Sequence, residues 1–171
     1  MSNDHEILFE RRGAAGLITL NRPGALNALT HGMVLAMREK LEAWATDPKV
    51  GAVVVRGAGE RAFCAGGDIR AIASSGSAGT AYARDFWRDE YILNAMIKHY
   101  PKPYIALIHG IVMGGGVGVS VHGQYRVASE TTLFAMPETG IGFFPDVGGS
   151  YFLPRCPGEI GMYLALTGAR L

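Results

Sequence analysis

No stretch of this 171-residue chain is long and apolar enough to cross a bilayer as a helix. Cysteine is scarce. Cys64 and Cys156 are the two in the chain, and neither falls in a metal-ligand spacing, which argues against a disulfide scaffold or a cysteine-based metal centre. Charge is nearly balanced at +1, so no broad field draws the chain to nucleic acid or an anionic membrane. An anionic ligand must therefore be held by local groups. The opening residues Met1-Ser2-Asn3-Asp4-His5-Glu6 are polar and acidic, unlike a secretory or organellar presequence. The expectation is a reduced, cytoplasmic protein with neither nucleic-acid nor membrane partners. His5, His31, His99, His109 and His122 have no metal spacing or triad partner, and Ser120 and Ser150 lack a nucleophile elbow. Nothing beside Cys64 lowers its pKa. These residues read as structural.

Glycine, by contrast, is abundant at 24 residues, spread as punctuation rather than gathered in a low-complexity tract. With 49% hydrophobic and 18% charged residues the chain fits one domain, 1–171, with a sizeable core. Two glycine-rich turns matter most. Phe63-Cys64-Ala65-Gly66-Gly67-Asp68 follows the strand-like Ala52-Val53-Val54-Val55, and Gly114-Gly115-Gly116 follows Tyr104-Ile105-Ala106-Leu107-Ile108. Each opens a helix, whose first N–H groups lack internal partners and carry the positive end of the dipole. Glycine leaves such amides open to close approach. Two of them meeting at one carbonyl oxygen would form an oxyanion hole; taken singly, each is an ordinary turn.

Residues 6–12 and 16–21 read as strands about a turn at Gly13-Ala14-Ala15. Thr30 is placed to cap a helix that carries Met33, Met37, Leu41 and Trp44 and stops before Asp47-Pro48. Residues 50–56 read as a strand buried on both faces, 74–79 as a small-residue loop, and 80–99 as a long helix with Phe86, Ile92, Leu93, Met96 and Ile97 inward. A buried strand over 104–109 and a helix over 114–121 come next, then a strand pair over 125–128 and 132–135, loop through 149, and an apolar helix over 158–166. Strands and helices alternate, so the class is α/β. The apolar final helix needs a surface to pack on, which points to an N-terminal part of a longer polypeptide.

Asn21-Arg22-Pro23, Asn27-Ala28-Leu29, the two glycine turns, His109-Gly110 and Pro137-Glu138 resemble the crotonase, or enoyl-CoA hydratase/isomerase, superfamily in order and over nearly the whole chain. The segment Met136-Pro137-Glu138-Thr139-Gly140-Ile141-Gly142-Phe143-Phe144-Pro145-Asp146-Val147-Gly148-Gly149 is similar to its 3-hydroxyisobutyryl-CoA hydrolase branch, as are Tyr151-Phe152-Leu153-Pro154-Arg155 and the last eight residues. The resemblance implies a superhelix of strand–strand–helix units with a C-terminal helical region missing here. It also implies an acyl-CoA substrate with no separate cofactor, since coenzyme A is part of the substrate, a homo-oligomer in the whole protein, and oxyanion donors at Gly67 and Gly115.

The carboxylates choose among reactions. Syn hydration of an enoyl thioester needs two acids around one water. The resemblance places the first of these where this chain has Gly118, which has no side chain, and the second at Glu138. A different second acid, Asp146, lies eight positions on, and the hydrolase branch carries acids at Asp146 and at Glu90. Glu138 is the main catalytic candidate, either attacking the thioester or activating water, and its apolar neighbours should raise its pKa. Asp146 would orient water, bind a 3-hydroxyl, or merely cap a turn. Glu90 would hold the substrate's polar end or Glu138's partner, or be a solvated helix charge. Asp68 reads as a helix-capping acid, and Arg22 as a CoA phosphate ligand or a surface turn charge. The leading expectation is a thioesterase for a short branched 3-hydroxyacyl-CoA, as in valine breakdown. The alternatives are an enoyl-CoA hydratase/isomerase and a non-catalytic acyl-CoA-binding fragment.

Overall fold

The computed structural model describes residues 5–79 and 81–171. An antiparallel hairpin, β1 (Ile7–Arg12) and β2 (Ala15–Leu20), begins it. Helix α1 (His31–Thr46) follows, and the Thr30 hydroxyl accepts from the Met33 amide at 3.2 Å, satisfying one orphan donor of its first turn. Met33, Val34, Met37, Leu41 and Trp44 form its buried stripe.

The chain then repeats one manoeuvre three times. A strand enters a large sheet, the next strand enters a small sheet, and a helical segment returns the chain. The first turn is β3 (Ala52–Gly57), β4 (Ala62–Cys64), α2 (Ile69–Ser77) and α3 (Tyr82–Lys98). The second is β5 (Tyr104–Ile108), β6 (Ile111–Met113) and α4 (Gly115–Val121). The third is β7 (Tyr125–Ala128), β8 (Leu133–Ala135) and a 3-10 turn over Pro137–Ile141. The large sheet has the order β1-β2-β3-β5-β7 and the small sheet β4-β6-β8. Beyond the hairpin the named strands pair in parallel, because equivalent strands of successive turns run the same way. The α/β superhelix expected from the sequence is the observed fold. Helix α5 (Gly149–Phe152), a 3-10 turn (Leu153–Arg155) and α6 (Ile160–Thr167) close the chain.

Several local expectations give way. Residues 125–128 and 132–135 do not pair with each other; each joins a different sheet. Neither β4 nor β6 is legible as a strand, since three residues give too little alternation to read. Strand β3 is not buried on both faces: Val53 and Val55 face the core while Arg56 is exposed. The presumed loop over 74–79 is largely helix, because Asp68 accepts from the Ala71 amide at 3.3 Å and starts α2, which runs to Ser77. The long helix is seen from Tyr82, and its expected start at Thr80 lies outside the described residues, as do 1–4 of the polar N-terminus. On α3 Phe86, Leu93 and Ile97 are buried but Ile92 is exposed, and Asp89, Glu90 and Asn94 take inward positions. On α6 Met162, Tyr163 and Leu166 remain exposed.

Backbone bonds such as Leu29 N to Gly66 O at 2.8 Å tie the segment before α1 to the small sheet, and one buried side chain reinforces them. Asn27 is fully buried with φ at +56°, a left-handed conformation that asparagine accepts more readily than most residues. Its Nδ2 donates to Ala58 O at 2.9 Å and Ala62 O at 2.8 Å, and its Oδ1 accepts from the Arg22 amide at 3.0 Å. Asn27→Ala strands three backbone groups, two of them at the approach to β4. The Ala62 bond is buried and the other two are partly so, and chemical denaturation is expected to show a loss of about 1–3 kcal/mol.

Candidate active site

The small sheet decides what meets what. Strands β4, β6 and β8 lie side by side and parallel, with Cys64 opposite Val112 and Met113 opposite Ala135. Their carboxyl ends therefore release three segments at one edge: Gly66-Gly67, Gly114-Gly115, and Met136-Pro137-Glu138. Open parallel sheets place ligands at this end of their strands.

The close approach is measurable. A β-carbon at Gly115 would lie 3.2 Å from the Gly67 nitrogen and would collide with Oε1 of Glu90. A β-carbon at Gly114, whose φ is +47°, would lie 2.9 Å from Oε1 of Glu138. Neither the Gly67 nor the Gly115 amide donates to a turn, loop or cap acceptor among the described residues. Gly115 is the first residue of α4, where an N–H has no intrahelical acceptor.

A cavity of about 510 Å³ opens at this edge. Gly67, Gly115, Glu90, Glu138 and Asp146, all five candidates from the sequence, line it. Phe86, Trp87, Ile69, Ile72 and Phe143 supply apolar wall, with Trp87 and Phe143 stacked at 5.3 Å.

Glu90 comes from α3 and is 2% exposed, which disposes of the solvated-charge reading. Its neighbour Asp89 is gripped from α1 by His31 Nε2 and Arg38 Nη1, each at 2.8 Å, and this sets the rotation of α3 that turns Glu90 toward Gly115. Oε1 of Glu90 and Oε2 of Glu138 are buried and accept no hydrogen bond from the protein. Burial, with smaller pushes from the Asp146 and Glu138 charges, raises the Glu90 pKa to about 8. Glu138 is raised to about 7, again chiefly by burial, with a contribution from Asp146. Burial also raises Asp146, opposed by the Tyr91 hydroxyl, which donates to Oδ2 at 2.8 Å.

Tyr91 was not legible as a site residue. Glu90 had a signal: it falls on the apolar stripe of Phe86, Leu93 and Ile97, where a solvated charge does not belong. Gly118 offers more than a missing side chain. A β-carbon there would lie 2.8 Å from Val147 Cβ and 2.9 Å from Asn94 Oδ1, so no side chain fits at this position.

The remaining sequence candidates have structural partners. Arg22 pairs with Glu6 and Asp68, each at 3.0 Å, and donates to Ala28 O, so it is committed inside the fold rather than free for a phosphate. Cys64 is fully buried, with burial pushing its pKa to about 12. Among the described residues no group of three or more His, Cys, Asp or Glu is placed to hold a metal.

Comparison with known proteins follows the same direction. The chain is 64% identical to the mitochondrial 3-hydroxyisobutyryl-CoA hydrolase of Danio rerio over 97% of its length, and 57% identical to that of Homo sapiens over 97%. It spans less than half of these relatives, 44% and 43% respectively. Among solved structures, a carnitinyl-CoA dehydratase from Mycobacterium thermoresistibile superposes with a TM-score of 0.95 at 59% identity, covering 96% of this chain and 48% of that one. An enoyl-CoA hydratase from Rhodobacter sphaeroides also gives 0.95, at 49% identity over 98% of this chain and 50% of its own. The mitochondrial relatives overturn the cytoplasmic expectation. Two unpaired cysteines and a polar start do not tell one compartment from another. With residues 15–171 matching its enoyl-CoA hydratase/isomerase description from the hairpin to the last residue, the chain belongs to the enoyl-CoA hydratase/isomerase family.

Proposed function

We propose that the complete protein hydrolyses a short branched 3-hydroxyacyl-CoA thioester, 3-hydroxyisobutyryl-CoA being the reference substrate. The observation that carries this reading is the meeting of the Gly67 and Gly115 amides with Glu138 at the ends of three adjacent strands. In this reading the thioester carbonyl oxygen lies between the two amides, which stabilise the negative charge as the carbonyl carbon becomes tetrahedral. Glu138, as carboxylate, takes a proton from the attacking water. The carbon–sulfur bond then breaks, and the thiolate leaves with that proton as free coenzyme A. A carboxylate titrating near 7 suits proton transfer at neutral pH.

Glu90 holds its proton at pH 7 and donates a hydrogen bond to the substrate's polar end. Asp146 has one oxygen engaged by Tyr91, leaving the other to accept the 3-hydroxyl. The names of the curated relatives support this substrate class. Self-association of the complete protein has a candidate surface in β7, an edge strand with Tyr125 and Val127 each 56% exposed.

A second reading, enoyl-CoA hydration, is favoured by the names of the solved relatives. It requires Asp146 or Glu90 to replace the acid for which Gly118 leaves no room. One assay separates the two. Thiol release from 3-hydroxyisobutyryl-CoA, without loss of the enoyl absorbance of crotonyl-CoA, is expected. Hydration without thiol release overturns the hydrolase reading, and binding without turnover of either substrate marks a non-catalytic protein. Glu138→Gln should cut thiol release at least 100-fold with little change in binding, and near-normal turnover in that variant removes Glu138 from its role.

The pH dependence has two limbs. Activity requires Glu138 ionised and Glu90 protonated, so kcat/KM should fall below about pH 7 and above about pH 8. Glu90→Gln should flatten the alkaline limb.

The same residue weighs on stability. Its pKa is raised from 4.5 in the open chain to about 8 in the fold, so the folded state holds a proton that the unfolded chain releases. The stability this group allows is complete below about pH 4.5 and declines as pH rises toward 8. Glu90→Gln should therefore melt at a higher temperature than the wild type at pH 8, with the gap closing by pH 5, while turning over more slowly.

A further inference from the structure

Asp146 sits on the most strained backbone near the cavity. Val147, which follows it, is β-branched, 2% exposed and held at φ +43°, a left-handed conformation that such a residue avoids. Gly148 comes next at φ +85°. Gly148 suits the second left-handed position of this turn but Val147 does not suit the first, and a contact from elsewhere helps to hold it there.

That contact is His122. Its Nε2 lies 2.7 Å from the Val147 carbonyl oxygen, and because a carbonyl only accepts, the proton is on Nε2. The ring meets Phe152 edge-on at 6.2 Å, and a β-carbon at Gly148 would come within 2.6 Å of its Cε1. The imidazole is thus seated by ring contact as well as by its hydrogen bond. The Gly149 amide tightens the turn by donating to Asp146 O at 2.6 Å, and Tyr91 holds the Asp146 side chain from the other direction. His122 does not line the catalytic cavity. It is the C-cap of α4, the helix whose first residue is Gly115, so one short helix links the amide at its start to the turn fastened at its end.

We propose that His122 is a positioning residue for the reaction: its bond to the Val147 carbonyl holds the 146–148 turn in the left-handed shape that directs Asp146 into the cavity. This rests on the reading above in which Asp146 accepts the substrate's 3-hydroxyl. The role differs from simple packing, because its effect must pass through Asp146 and must depend on that hydroxyl.

The experiment uses the complete protein and two thioesters, 3-hydroxyisobutyryl-CoA and isobutyryl-CoA, which lacks the hydroxyl. Wild type, Asp146→Asn, His122→Ala, the double variant and His122→Gln are compared by kcat, KM and thermal melting. Misplacing a positioned group by about 1 Å can cost about 100-fold. His122→Ala should therefore lower kcat/KM on the hydroxylated substrate by about that factor, with a much smaller loss on isobutyryl-CoA. The double variant should be no worse than Asp146→Asn alone. His122→Gln, which keeps an N–H near the place of Nε2, should recover most of the loss.

Multiplying losses in the double variant, equal losses on both thioesters, or a Gln variant as poor as Ala would each overturn the proposal. Should His122→Ala not fold, His122→Phe keeps a ring against Phe152 and loses the donor, and its comparison with His122→Gln reads the same bond. If Asp146→Asn and Glu138→Gln leave turnover intact, the functional reading fails first. If they impair it and His122→Ala does not, the failure belongs to His122 alone.

Discussion

Three short parallel strands lying side by side constrain everything at the candidate site. β4, β6 and β8 together contain nine residues, yet their register brings segments far apart in sequence to one edge. Gly67, Gly115 and Glu138 each follow the end of one of these strands within three residues. The large sheet and the α1 stripe build the hydrophobic mass, but they act on the site mainly by keeping these strands adjacent. Asn27 works at the same joint, fastening the incoming loop to the carbonyls that precede β4 and that belong to its first residue.

The site is assembled against the ordinary preferences of a folded chain. Two carboxyl groups, Glu90 and Glu138, are buried with unpartnered oxygens, and a third, Asp146, crowds them. Buried acids without counter-charges keep their protons to higher pH, which is what acid–base work near neutrality asks for. The neighbouring acid on the same helix is treated in the opposite way. Asp89, one residue from Glu90, has both oxygens engaged, by His31 and Arg38, and its pKa is lowered, foremost by the hydrogen bond to His31. One helix therefore carries, side by side, an acid that anchors it and an acid left available for chemistry. Val147 and Asn94 occupy the room beside Gly118, so no side chain fits at that position.

Much of this could be read along the chain where the cause is local. Thr30 and Asp68 announce helix starts because a capping side chain needs only its own next few residues. The glycine turns were visible for the same reason. Where the cause is distant, reading faltered. Residues 74–79 are small and polar enough to resemble a loop, yet the Asp68 cap carries the helix through most of them. Strands β4 and β6 are too short for alternation to register, and their existence depends on neighbours one superhelical turn away. The pairing of 125–128 with 132–135 failed for the same reason, since each strand's partner is its counterpart in the preceding turn rather than its neighbour in sequence.

By itself the sequence determined the family, the α/β alternation and the identity of the five candidate groups, because motif order and residue chemistry are properties of the chain. Tertiary structure alone decided that Tyr91 engages Asp146, that Gly118 has no space for a side chain, and that His122 grips the turn beyond Asp146. Those facts concern distances between segments separated by tens of residues. Local propensity says nothing of such distances; they follow from how parallel strands stack and from what the core leaves room for.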